Sequence, residues 1–126
     1  GSLKYLTTYR ASNNTSQLQE RDVANEAIHF MRENVRKRLT LKEIADFSGF
    51  SPSYFSALFH DKTGYSPLNY FIHLKIQEAC HHLDFSDMKI NQISMLVGFE
   101  DPFYFSRIFT KTMGSSPSEY RKKKKG

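Results

Sequence analysis

Two segments of this 126-residue chain carry side chains at a spacing suited to touching another molecule. In one, Ser53, Ser56, Ala57 and His60 fall on the helical face opposite Phe55, Leu58 and Phe59; in the other, Phe103, Ser106, Arg107 and Thr110 fall opposite Phe105, Ile108 and Phe109. An outward guanidinium at Arg107 can donate two parallel hydrogen bonds to a planar pair of acceptors such as guanine O6 and N7. That geometry is worth ~1–3 kcal/mol of discrimination between bases. Ser53, Ser56 and Ser106 offer hydroxyls, while Ala57 and Phe103 offer apolar contact of the kind a thymine methyl takes. Ala57 stands where Arg107 stands in the other segment, so the second segment is expected to carry most of the discrimination and the first to position. Competing roles stay open: Arg107 in a phosphate contact or an internal ion pair, and Phe103 against the neighbouring turn.

A second group of residues suits anionic oxygens. Arg36, Lys37, Arg38, Thr40 and Lys42 cluster before and into one predicted helix, and Lys89, Asn91 and Gln92 match them at a second. Tyr54, His60, Tyr104, Thr110 and Lys111 complete the candidates for phosphate contact. For the tyrosines the alternative is packing at the edge of a core, and for the charged clusters a solvated surface.

These side chains need elements to hold them, and helical periodicity dominates the chain, giving an all-α expectation of seven helices. Ser16 with Gln19 forms a possible capping box for a first helix running to about Val35, with Val23, Ala24, Ala27, Ile28 and Met31 on its apolar face. Thr40 with Glu43 starts a short second helix with an inner face of Leu41, Ile44, Ala45 and Ser48, ended by Gly49. Ser51-Pro52, Ser66-Pro67, Asp101-Pro102 and Ser116-Pro117 each supply an N-cap and a first-turn proline. The helix from Ser66 keeps Leu68, Phe71, Ile72, Ile76, Ala79, Cys80 and Leu83 on one face over about 17 residues, a rod of roughly 25 Å. A further short helix covers about Lys89 to Val97.

The strongest signal is an internal repeat. Ile44-Ala45-x-x-x-Gly49-Phe50 returns as Ile93-Ser94-x-x-x-Gly98-Phe99, Tyr54-Phe55-Ser56-x-x-Phe59 as Tyr104-Phe105-Ser106-x-x-Phe109, and Gly64-x-Ser66-Pro67-x-x-Tyr70 as Gly114-x-Ser116-Pro117-x-x-Tyr120. Each copy meets the needs of a helix-turn-helix. A small residue sits where two helices approach, a glycine can take the positive φ that ends the first helix, and Phe50 or Phe99 is expected to plug the space between the pair. Such a crossing leaves the outer face of the second helix protruding, as a major-groove reader requires.

With these residues in view, the chain resembles the DNA-binding domain of the AraC/XylS family of bacterial transcription regulators over about residues 20–121. The resemblance is sharpest at Val97-Gly98-Phe99, Tyr104-Phe105-Ser106-Arg107-x-Phe109 and Ser116-Pro117-x-Glu119-Tyr120-Arg121. It implies two helix-turn-helix subdomains joined by a long central helix, each presenting a recognition helix to double-stranded DNA. It further implies RNA polymerase as a partner and an upstream sensor or receiver domain. Ser94 departs from the alanine common at its place but is still small.

The expected division is a cleavage scar and linker over 1–15, the first subdomain with its connecting helix over 16–83, the second over 84–121 and a basic tail over 122–126. Charge agrees only in distribution. Of 18 Lys plus Arg against 13 Asp plus Glu, Arg121 to Lys125 supply the whole surplus, and that tail is expected to be disordered. Cys80 is the sole cysteine, so no internal disulfide can form, and it is expected as a buried apolar side chain. No phosphate loop, nucleophile elbow or metal-ligand spacing is present; no enzyme activity, cofactor or metal is expected. No run of residues is apolar enough to span a bilayer, and a cytoplasmic setting without a membrane partner is expected. A helical protein-interaction module that never binds DNA is the competing possibility, separated from the first by Arg107 and its hydroxyl neighbours.

Overall fold

The computed structural model describes residues 23–125, which form seven helices with no strand among them. Helix α1 is described over 23–33; α2 spans Leu41–Asp46, α3 Pro52–Thr63, α4 Pro67–Phe85, α5 Ile90–Leu96, α6 Pro102–Met113 and α7 Pro117–Lys125. The expected linker and the Ser16–Gln19 capping box lie outside the described residues.

The helix starts follow from orphan N–H groups that side chains satisfy. Thr40 Oγ1 accepts from the Glu43 N–H at 3.1 Å while Glu43 Oε1 accepts from the Thr40 N–H at 2.8 Å, a reciprocal box. Ser116 and Glu119 repeat that box at α7. Ser51, Ser66 and Asp101 accept from Tyr54, Asn69 and Phe103 respectively, each with proline at the first helical position. Gly49 and Gly98 turn the chain out of α2 and α5 at φ of +77° and +86°, a region open to glycine and costly for side-chain-bearing residues.

Two apolar clusters divide along α4. Its N-terminal Phe71 and Leu74 pack with Ala24, Ala27, Met31, Ile44, Ala45, Phe55 and Phe59; its C-terminal Ile76, Ala79 and Leu83 pack with Ile93, Val97, Phe99, Phe105 and Phe109. One 19-residue helix, about 28 Å long, therefore belongs to both cores. Burial of each phenylalanine contributes ~1.5–3 kcal/mol to that attachment.

Three expectations are corrected. Phe50 does not plug the first turn; it is exposed, with its ring edge-on to Tyr54 at 4.8 Å, while Phe47, also exposed, stacks on Phe30 and lies edge-on to Phe55. Phe99 is buried as expected. Leu68 is 41% exposed and lines an open cleft instead of packing in either core. The basic tail is helical through Lys125, since α7 is anchored by Tyr120, edge-on to Phe109 at 5.6 Å, and by Arg121. Arg121 is no loose cation: its guanidinium donates to the carbonyls of Leu83, Met88, His82 and Ser86, closing the C-terminal end of α4 and the loop that follows.

One buried charge escaped the sequence reading. Lys75 is 4% exposed, and its Nζ donates to the carbonyls of Val35 (2.7 Å), Lys37 (2.5 Å) and Val97 (2.8 Å), with the Phe71 ring 4.4 Å away. Burial, reinforced by the nearby Arg38, pushes its pKa from 10.5 down to about 8. A sequence signal existed: Lys75 interrupts the four-residue repeat Phe71, Ala79, Leu83, where an apolar residue is the rule.

Candidate nucleic-acid interface

The protruding faces of α3 and α6 arise from the same local arithmetic. On α3, Phe55, Leu58 and Phe59 are buried, which turns Ser53, Ala57 and His60 outward and leaves Ser56 half-buried between them. Ser53, Ser56, Ala57 and His60 come together along one open depression with Leu41 and Asp61. On α6, Phe105 and Phe109 are buried, Phe103, Arg107 and Thr110 are exposed, and Ser106 is half-buried as its counterpart is.

Phe103 stands 79% exposed at the start of α6, which leaves its ring unused by the neighbouring turn. Arg107 stacks its guanidinium 5.8 Å from the Tyr104 ring, and no carboxylate of the described residues lies within ion-pair distance of it. Stacking of this kind orients the fork without consuming its donors. The α3 face has no comparable group, since Ala57 occupies the matching position. Tyr54 and Tyr104 are both exposed edge aromatics, at 49% and 39%. Thr110 Oγ1 donates to the Ser106 carbonyl at 2.8 Å, so its hydroxyl proton is already used.

The phosphate candidates divide by what they already do. Thr40 is exposed, but its N–H and hydroxyl oxygen are engaged with Glu43, which also sets a carboxylate at that helix start. Arg36 donates to Glu78 Oε2 at 3.1 Å, and that carboxylate also meets His82; Arg38 pairs with Glu100 across the two helical units. Lys42 lies 3.5 Å from Asp46, a surface pair of small value. Gln92 accepts from the Lys89 N–H at 3.1 Å and so starts α5, while the Lys89 side chain, Asn91 and Lys111 stand exposed. Lys37 lends its carbonyl to Lys75 and keeps its ammonium exposed.

Cys80 is half-buried on α4 and burial pushes its thiol pKa up, which keeps it protonated at neutral pH and poor as a nucleophile. No group of three metal-ligating side chains occurs among the described residues, and no helix among them is long and apolar enough to cross a membrane.

Comparison with known proteins places this geometry. A family model described as a helix-turn-helix domain matches residues 44–123. The chain is 40% identical over 107 residues to the MmsAB operon regulatory protein of Pseudomonas aeruginosa, covering 84% of this chain and 35% of that protein. It spans about a third to a half of the length of the curated relatives it matches. Among solved structures, an AraC-type DNA-binding transcriptional regulator from Chromobacterium violaceum superposes with a TM-score of 0.78 at 26% identity, covering 82% of this chain and 93% of that one. The DNA-binding domain of AdpA, solved with a target DNA, superposes with a TM-score of 0.76 at 25% identity, covering 79% and 90%.

Proposed function

Because the chain belongs to the AraC-type helix-turn-helix family, we propose that it is the DNA-reading output part of a bacterial transcription regulator, with α3 and α6 entering successive major-groove segments of one duplex. The observation that carries this assignment is the pairing of two equivalent helices whose outward faces are free of core packing, one of them bearing a guanidinium with no internal carboxylate partner. Arg107 reads a guanine, Ser106 and Phe103 contact bases beside it, and Ser53, Ser56 and Ala57 make the poorer contacts of the first half-site. Phosphates are held by Lys37, Lys89, Asn91, Lys111, Tyr54, Tyr104 and His60, and by Arg36, Arg38, Thr40, Lys42, Gln92 and Thr110 where their internal partners leave a donor. The setting is the cytoplasm. RNA polymerase and an upstream sensor or receiver domain complete the regulator. One relative, from Staphylococcus xylosus, is a lactose operon transcription activator, and activation is the polarity we assign here.

The test is selection of bound duplexes from a random pool, repeated with Arg107→Ala. The expected result is a two-part motif whose second half loses one G·C preference by roughly 5- to 150-fold in the variant, the range that ~1–3 kcal/mol implies. A smaller loss is expected for Ser53→Ala combined with Ser56→Ala. Binding that is blind to sequence and insensitive to salt would instead identify a protein-interaction module.

A further inference from the structure

Among the described residues, the deepest charge lies at the junction of the two DNA-facing units, away from both faces. Lys75 projects from the middle of α4, the element both cores share, and its three N–H donors are all consumed by carbonyls. Two of these carbonyls, of Val35 and Lys37, follow α1 and belong to the first unit; the third, of Val97, ends α5 and belongs to the second. A tetrahedral ammonium saturated in this way fixes three backbone segments about one point. Gly98 closes the site. A Cβ there would fall 2.6 Å from Lys75 Nζ and 2.8 Å from the Arg36 carbonyl oxygen, so these atoms approach only because the residue is glycine. Beside the latch, Arg38 pairs with Glu100, again joining the first unit to the turn of the second. A cleft of about 500 Å³ opens next to it, lined by Leu68, Phe71, Phe99 and Arg107. Around the ammonium, therefore, the two units meet over partly empty space and are held by polar links.

We propose that Lys75 is a positioning residue that sets the rotational register between α3 and α6, and so determines which separation of two DNA half-sites the protein accepts. This rests on the two-helix DNA reading above. Along B-DNA one added base pair rotates the next groove segment by roughly 35°. A protein whose halves are locked must therefore reject altered spacings, and one whose halves can pivot must tolerate them.

The experiment measures affinity for the selected duplex, for duplexes with either half-site scrambled, and for duplexes with the spacer changed by one or two base pairs. The wild-type chain is expected to bind the intact site at least tenfold more tightly than either altered spacing. In Lys75→Met that preference falls to threefold or less, while affinity for a single half-site stays within twofold of wild type. Gly98→Ala and Gly49→Ala form an independent pair, informative even if Lys75→Met does not fold. Both put a methyl at a similar positive φ, but the Gly49 methyl meets nothing within 4 Å, whereas the Gly98 methyl collides with the latch. Flattened spacing preference is expected for Gly98→Ala alone. An unchanged spacing profile in Lys75→Met or in Gly98→Ala, or equal flattening by the two alanines, would overturn the assignment of Lys75. A wild-type chain that gains nothing from the second half-site would overturn the two-helix reading, and the latch with it.

Discussion

Replacing Arg121 with methionine keeps most of the aliphatic stem and removes the guanidinium, which isolates the role of its hydrogen bonds. Four carbonyls lose a donor. Nη1 donates to Met88 at 2.6 Å, Nη2 to Ser86 at 3.1 Å and Nε to Leu83 at 3.2 Å, while the 3.4 Å bond to His82 is dispensable because that carbonyl also accepts from the Ser86 N–H and hydroxyl. Three bonds therefore matter. Hydrogen bonds to charged groups contribute ~1.5–3 kcal/mol each when sheltered, and partial exposure lowers that to about 1 kcal/mol. The total is about 3 kcal/mol, equivalent to a fall in Tm of roughly 10–20 °C for a domain of this size. Urea and thermal melts followed by circular dichroism read the effect directly, with Lys122→Met as an exposed control expected within ~0.5 kcal/mol of wild type. Were Arg121 instead a loose DNA-seeking cation, Arg121→Met would leave Tm unchanged and reduce the salt dependence of DNA binding. A stability loss below about 1 kcal/mol would refute the clamp.

Two further outcomes follow from buried polar atoms. Ser94 is fully buried and its Oγ has no hydrogen-bond partner, whereas the first unit carries Ala45 at the same place; Ser94→Ala should raise stability by ~1 kcal/mol in a urea melt, and a loss of that size would show a partner exists. Between pH 8 and 10.5 the unfolded chain, with an ordinary lysine pKa, binds more protons than the folded chain, whose Lys75 titrates near 8 beside Phe71, Phe99, Arg38 and the Arg38-paired Glu100. The stability of wild type relative to Lys75→Met should therefore rise by about 2–3 kcal/mol from pH 7 to 10. Contributions common to both chains cancel, and a difference flat in pH would contradict the depressed pKa.

Much of the architecture was legible from residue order because it follows local rules. Caps at Thr40, Ser51, Ser66, Asp101 and Ser116 sit within three residues of the N–H groups they satisfy, and the outward sets on α3 and α6 follow from 3.6-residue periodicity once Phe55, Phe59, Phe105 and Phe109 turn inward. The exposure of Phe50 was not legible, because the repeat pairs it with the buried Phe99 and only the folded packing turns its ring out against Tyr54. Thr40 and Gln92 were correctly placed at helix starts, yet the donors and acceptors they had left over depended on neighbours the pattern does not rank.

Residue order alone thus determined where α2 to α7 begin, the repeat and the two faces turned to solvent. Tertiary structure alone decided that Lys75 joins segments 22 to 40 residues away, and that Arg121 closes α4 from 33 to 39 residues away. The physical reason is the nature of the acceptors. Both cations are satisfied by backbone carbonyls, which every residue possesses, so no side-chain type marks the partner and only the folded path of the chain brings it within reach.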